Sequence, residues 1–200
     1  MYVPAAFRVD NVSELARFVE EHAFAVLVSA QHGDCVATHV PFLVERDGDA
    51  MILRAHMARA NPQWRAWGAA EALVVFSGPH AYVSPRWYES RDNVPTWNYM
   101  TVHAYGTPRL VEDRERVLDL VTALSRRYEG DVRDAWDVRE LSPERLEAFL
   151  DAIVAFDIPV TRLEASYKLS QNRTVADRRG AVAALRREGS GALADAMERF

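Results

Sequence analysis

The sequence predicts a mainly β protein: six or seven antiparallel strands in a small closed or nearly closed barrel, with helices inserted and appended. Three observations carry this. Two turn signals, Gln31-His32-Gly33-Asp34 and Arg46-Asp47-Gly48-Asp49, follow each other closely between strand-like runs. Two hairpins in a row mean antiparallel pairing. Several strands are apolar on both faces. In residues 35–44 one parity carries Val36, Val40, Phe42 and Val44, and the other carries Ala37, His39, Pro41 and Leu43. A strand covered on both sides needs a second layer, from helices or from a second subunit. Finally, a succession of short strands must hide its edges, which closure does.

The elements follow in order. Residues 1–11 read as an extended arm. Asn11 or Ser13 can cap a first helix with Leu15, Phe18, Val19 and His22 on one face. Strands are expected at 24–30, 35–45 and 50–57. Asn61 as cap and Pro62 as first residue open a short helix to about Gly68. Residues 71–77 and 81–84 read as two strands, 86–93 as a polar loop with aromatics, and 95–111 as a long strand broken near Gly106 and Pro108. Val117, Leu120, Val121, Leu124 and Tyr128 then mark a helix that Gly130 ends. Ser142-Pro143 opens another, with Leu146, Phe149, Leu150 and Ile153 as its stripe. Residues 156–168 read as the last strand, and 172–187 and 190–200 as terminal helices. The expected division is a barrel domain over 1–170 and a C-terminal helical extension, 171–200, packed on it.

Composition narrows the function. The chain has 200 residues, 49% of them hydrophobic, enough for one packed core. No run approaches the ~18 apolar residues of a membrane span. The start has no basic and apolar leader pattern, and the single Cys35 permits no internal disulfide, which fits a reducing cytoplasm. The net charge of −5 argues against a large nonspecific nucleic-acid surface, although a local basic patch stays open. Of 24 basic residues only Lys168 is lysine. Coding bias accounts for the arginines; the surviving ammonium still invites a specific role.

Parity then locates candidate chemistry, because alternate strand residues share a face. Arg54 and His56 fall together, as do Ser166, Lys168 and Ser170. Both groups suit a bound anion such as phosphate; solvent-facing charges on half-exposed strands are the plainer alternative. Trp97, Tyr99, His103 and Tyr105 form a face able to stack on a flat ring, or else an ordinary core or subunit contact. The six histidines show no metal-binding spacing, so no metal is expected. There is no serine nucleophile elbow, no GxGxxG and no P-loop. The arginine-bearing run 173–187 is a weak sign of a DNA-reading helix, and a solvated basic face is the commoner outcome.

Taken in order, Met1-Tyr2-Val3-Pro4, Thr38-His39-Val40-Pro41, Ala55-His56-Met57-Ala58-Arg59-Ala60-Asn61-Pro62-Gln63-Trp64, Gly78-Pro79-His80-Ala81-Tyr82-Val83-Ser84-Pro85, Trp87-Tyr88, Val94-Pro95-Thr96-Trp97-Asn98-Tyr99 and Tyr167-Lys168-Leu169-Ser170-Gln171-Asn172-Arg173 make an ordered set. The chain resembles the PaiB-type FMN-binding negative transcriptional regulator family. One departure is a short Glu89–Asn93 loop. The resemblance implies an FMN-binding split β-barrel, a cytoplasmic homodimer, and flavin at the subunit interface. It implies cofactor contacts at Thr38, His39, Val40, Arg54, His56, Ala58, Asn61, Trp97, Asn98, Lys168, Ser170, Gln171 and Asn172. Arg54, His56, Lys168 and Ser170 would meet the phosphate and ribityl chain, joined by N–H groups at the Asn61-Pro62 helix start. Trp97 and Asn98 would lie beside the isoalloxazine. It names no catalytic residue. A flavin- or haem-dependent oxidoreductase of a small molecule, without DNA binding, is the alternative, since the acidic balance does not support direct operator reading.

Overall fold

The computed structural model describes every residue except His32, Asp49 and Arg91, and for Gln31 and Asp47 it describes the backbone alone. The two expected hairpin turns and the loop at 86–93 each include one of those three, so their tips lie outside the described residues. The nine described strands are β1 (Phe24–Gln31), β2 (Asp34–Pro41), β3 (Leu43–Asp47), β4 (Ala50–Ala58), β5 (Ala72–Val83), β6 (Thr96–Gly106), β7 (Arg109–Val111), β8 (Ile153–Pro159) and β9 (Arg162–Lys168). The helices are α1 (Val12–Glu21), α2 (Arg114–Glu129), α3 (Pro143–Asp151), α4 (Val175–Arg187) and α5 (Gly191–Arg199). One sheet has the order β2-β1-β5-β6-β9 and the other β3-β4-β8-β7. The fold is an antiparallel split barrel with added helices.

Nine strands replace the expected six or seven because three expected strands divide, 95–111 into β6 and β7 at the break near Gly106 and Pro108 and two others by bending inside apolar runs. Residues 35–45 divide at Phe42, whose N–H donates to Ala23 O (2.9 Å) and whose ring is fully buried. β2 then pairs with β1, whereas β3 pairs with β4. Residues 156–168 divide at Val160 and Thr161, whose N–H groups are taken by Met51 O and Tyr105 O. In the opposite sense, the two strands expected at 71–77 and 81–84 are one, β5. It runs through Gly78-Pro79, beyond the Leu73–Val75 stretch that ladders to β1.

By contacts the chain forms two compact units: Met1–Phe18, Phe76–His103 and Leu163–Phe200 make the first, Val19–Val75 and Ala104–Arg162 the second. In the second, α2 and α3 cover β7 and β8. Val117, Leu120, Val121 and Leu124 of α2 meet Val111, Leu150, Ile153 and Ala155 in one apolar cluster. Tyr128, expected on that face, is exposed. Phe156 sits between Trp67 and Phe42, with ring centroids 4.8 and 6.3 Å away, both edge-on. In the first unit Tyr167 of β9 is fully buried between Phe18 and Phe200, 5.3 Å from each.

At α1 and α3 the caps fall where the sequence places them. Asn11 Oδ1 accepts from Glu14 N and Ser142 Oγ from Arg145 N. At α4 the cap is Thr174, not expected from the sequence, whose Oγ1 accepts from Asp177 N and starts the helix later than residue 172. Asp177 is itself buried and accepts from Glu89 N (2.9 Å). This contact brings α4 against the 85–89 segment, and Gly180 is where it is tightest. A Cβ at Gly180 would lie 2.0 Å from Trp87 O, a backbone atom. Gly→Ala inside a helix ordinarily gains ~1 kcal/mol. Gly180→Ala is expected to reverse that sign and destabilise by about 1–3 kcal/mol. Denaturant titration checks it, and a stabilised variant would refute the close approach.

Candidate functional site

In the second unit the motif residues converge on Gln63, which is 0% exposed. Asn61-Pro62 opens a single 3-10 turn, Pro62–Ala66, with the Asn61 Oδ1 accepting from Gln63 N (3.0 Å). The Gln63 amide then enters the β1–β2 hairpin. Its Nε2 donates to Leu27 O (3.2 Å), Ser29 Oγ (3.0 Å) and Val36 O (3.1 Å), and its Oε1 accepts from Thr38 Oγ1. Thr38 Oγ1 in turn accepts from Asn61 Nδ2 (2.9 Å). Thr38 and Asn61, expected as ligand contacts, are thus engaged in an internal network. The helix start expected to aim free N–H groups at phosphate is one short turn whose Gln63 N–H is already bonded.

The other expected residues of this unit separate. On β2 His39 is exposed, its ring 6.1 Å from exposed Phe24, while neighbouring Val40 points the other way and is buried. Ala58 is exposed at the end of β4. Arg54 and His56 do share a half-buried face of β4, as parity requires. The setting of Arg54 differs from a phosphate site, however. Its guanidinium pairs with Asp157 (3.3 Å) and Glu45 (3.2 Å), and Arg116 also reaches Asp157 (2.7 Å). Two arginines face two carboxylates, so no positive charge is left over for a phosphate dianion. Register explains it: Arg54 stands opposite Asp157 across the β4–β8 ladder. His56 Nδ1 is buried without a hydrogen-bond partner, and burial lowers its pKa, so at neutral pH it carries no charge.

Burial also lowers the pKa of His22, against the pull of Glu21, and of His103, where the terminal ammonium adds to the effect and Glu164 opposes it. Histidines depressed in the folded state bind fewer protons than in the unfolded chain. Their contribution to stability is therefore complete above the unfolded pKa of about 6.5 and declines as pH falls from there toward the folded values. The denaturation midpoint is expected to drop between pH 7.5 and 5.5, and His56→Gln should flatten that slope.

The first unit assembles a different group. β6 alternates strictly: Asn98, Met100 and Val102 are buried, while Trp97, Tyr99 and His103 are at least partly open. Trp97 is 54% exposed and is flanked by His80 (5.8 Å between centroids) and Tyr82 (6.4 Å, edge-on). Asn98 faces the opposite way and is 0% exposed; its Nδ2 donates to Ser170 Oγ (2.9 Å) and Met197 Sδ (3.4 Å), and its Oδ1 has no partner. The pair expected to flank one ring therefore divides between two faces, because adjacent strand residues cannot share one.

β9 ends at Lys168, and Ser170 lies beyond it with φ 63°, a left-handed conformation costly for serine, so Ser170 does not extend the strand's parity. Gln171 braces this turn: its Oε1 accepts from Leu169 N (2.8 Å) and its Nε2 donates to Tyr167 O (2.6 Å). Asn172 is exposed. Lys168 is half-buried, and its Nζ donates to Thr96 Oγ1. Among the described residues no carboxylate pairs with it. Arg173 is similar: it donates to Asn93 Oδ1 and lies 5.2 Å over the Tyr88 ring, with no carboxylate partner among the described residues. Thr96 and Arg173 were not singled out from the sequence, although both lie within its motifs. For the flavin phosphate that the resemblance implies, the fit lies in the donors: Lys168 and Arg173 are each a cation with no carboxylate partner among the described residues, and Lys168 has the Thr96 hydroxyl beside it.

A family model described as "Putative FMN-binding domain" matches residues 1–162. The protease synthase and sporulation protein PAI 2 of Bacillus subtilis is 41% identical over 191 residues, covering 94% of this chain and 90% of that protein. Among solved structures, a conserved hypothetical protein of Mycobacterium tuberculosis aligns with TM-score 0.58 at 14% identity, over 86% of this chain and 92% of that one. An FAD- and heme-binding protein of Mycobacterium smegmatis aligns with TM-score 0.56 at 17% identity, over 87% and 79%. At those identities the structures speak for the fold, whereas the family match and the Bacillus relative span most of the sequence. The chain belongs to the FMN-binding domain family, in its PaiB-like branch.

Proposed function

We propose that this protein binds FMN in the first unit, with Lys168 beside Thr96 receiving the phosphate and Arg173 as a further cation for it. The observation that carries this reading is Lys168. A half-buried ammonium with only a hydroxyl partner loses hydration without gaining a counter-charge, and an anionic ligand supplies that charge. Bound FMN would provide the electron-transfer chemistry; the chain binds and orients it. Of the other expected contacts, His39, Ala58 and Asn172 are open to a ligand, and His56 can offer a neutral hydrogen bond. Thr38, Asn61 and Gln171 act by holding their loops, and Arg54 holds its strand.

The reading extends to a cytoplasmic homodimer of the PaiB type, flavin-dependent or flavin-sensing, with a role in negative regulation of transcription. The exposed Trp97 and Phe24 support a second copy as cover. The alternative is a flavin- or haem-dependent oxidoreductase of a small molecule that does not bind DNA. The net charge of −5 favours it over direct DNA reading. Absorbance and mass analysis of the purified protein test the cofactor. A yellow protein carrying FMN, or one that quenches FMN fluorescence on addition, is expected; a colourless chain that ignores FMN, or one carrying haem alone, overturns it. A low-salt gel shift decides between the regulatory and purely enzymatic readings.

A further inference from the structure

The face of α4 turned away from the core has no part in the flavin reading. Asp177, Ala181, Val182, Ala184 and Leu185 are buried, Val182 at the boundary of the outward face. The outward stripe of Val175, Arg178, Arg179, Val182, Ala183 and Arg186 lines a cavity of ≈ 320 Å³, with Met197 and Glu198 of α5 on its far side. The floor is apolar: Val175 is 67% exposed, while Val182 (8%) and Met197 (1%) show only an edge beneath it. Three arginines stand over it against one glutamate, in a chain whose net charge is negative.

Those arginines are not equivalent. Arg186 is taken up by Asp195 (2.8 Å) and Glu198 (2.7 Å). Arg178 donates to Met197 O. Arg179 makes neither ion pair nor hydrogen bond among the described residues, so its guanidinium fork is free beside an apolar concavity. A free fork matches a carboxylate bidentately, and the volume is at the small end of the range for organic ligands. We infer that this cavity is a binding site for a small amphipathic carboxylate, a medium-chain or aryl acid. Its tail would lie on the exposed Val175 and Ala183, over the edges of Val182 and Met197, and its head on Arg179. A nucleic-acid phosphate would use the charges and leave the apolar floor idle.

Titration calorimetry of the full chain, presaturated with FMN, against decanoate and decylamine tests this. One decanoate per chain is expected, with decylamine silent. Arg179→Glu should weaken decanoate at least tenfold. Ala183→Trp, which fills the cavity from an exposed position and leaves the core untouched, should abolish the signal while circular dichroism stays unchanged. FMN affinity, measured separately, should be the same in both variants, so failure of this site and failure of the flavin reading are distinguishable. No decanoate heat, equal binding of the amine, binding indifferent to both substitutions, or a preference for duplex DNA lost with Arg179→Glu would each overturn the inference.

Discussion

Lys168→Met is expected to weaken FMN by about tenfold to a hundredfold, equivalent to roughly 1.5–3 kcal/mol for one charge-assisted hydrogen bond. Methionine keeps the length and apolar character of the lysine stem, so packing beside Thr96 changes little. The folded state without ligand holds this ammonium half-buried against a hydroxyl alone. Removing it should leave thermal stability unchanged or raise it. Lower affinity with undiminished stability is the signature of a binding residue that burdens its own fold. Equal losses of both would mean a structural lysine, and unchanged affinity, read by fluorescence quenching, would take Lys168 out of the site.

The second large effect is on stability. Gln63→Leu keeps the volume and removes every side-chain bond of a residue with no solvent contact. Leu27 O, Val36 O and the Thr38 and Ser29 hydroxyls lose their amide partner together. Buried groups left unsatisfied cost about 1–3 kcal/mol each when no water replaces the partner. With partial relaxation, a total near 3 kcal/mol is expected, a fall in Tm of roughly 6–12 °C for a chain of this size. Because Asn61 and Thr38 are held through Gln63, Asn61→Ala should be milder, near 1 kcal/mol, the usual worth of a cap. A double variant costing less than the sum of the singles would confirm one shared network.

The fold was legible in the sequence wherever the signal is local. Asn11, Asn61 and Ser142 announce their caps, Gly130 its helix end, and the alternation around Trp97–Val102 the two faces of β6. It was least legible where a run bends without a turn residue, as at Phe42 and Val160, because there the bend is enforced by acceptors distant in sequence, Ala23 O and Met51 O. The site divides along the same line. Lys168 could be flagged because it is the sole lysine. That Arg54 is neutralised could not, since Asp157 lies 103 positions away and only strand register brings it opposite. Gln63 carried no sign of burial: a glutamine in a polar-looking helix start reads as surface, and only the hairpin folded over it makes it a hub.

Amine chemistry gains an unusual address from that solitary lysine. Among these 200 residues Lys168 is the one side-chain amine, so an amine-selective acylating reagent has that site and a chain-terminal amine to form stable amides with. Mass spectrometry of the intact chain then becomes an occupancy meter. Adduct formation at Lys168 that slows as flavin is titrated in would report the ligand at the very atom assigned to hold it, with the terminal amine as an internal clock in the same spectrum.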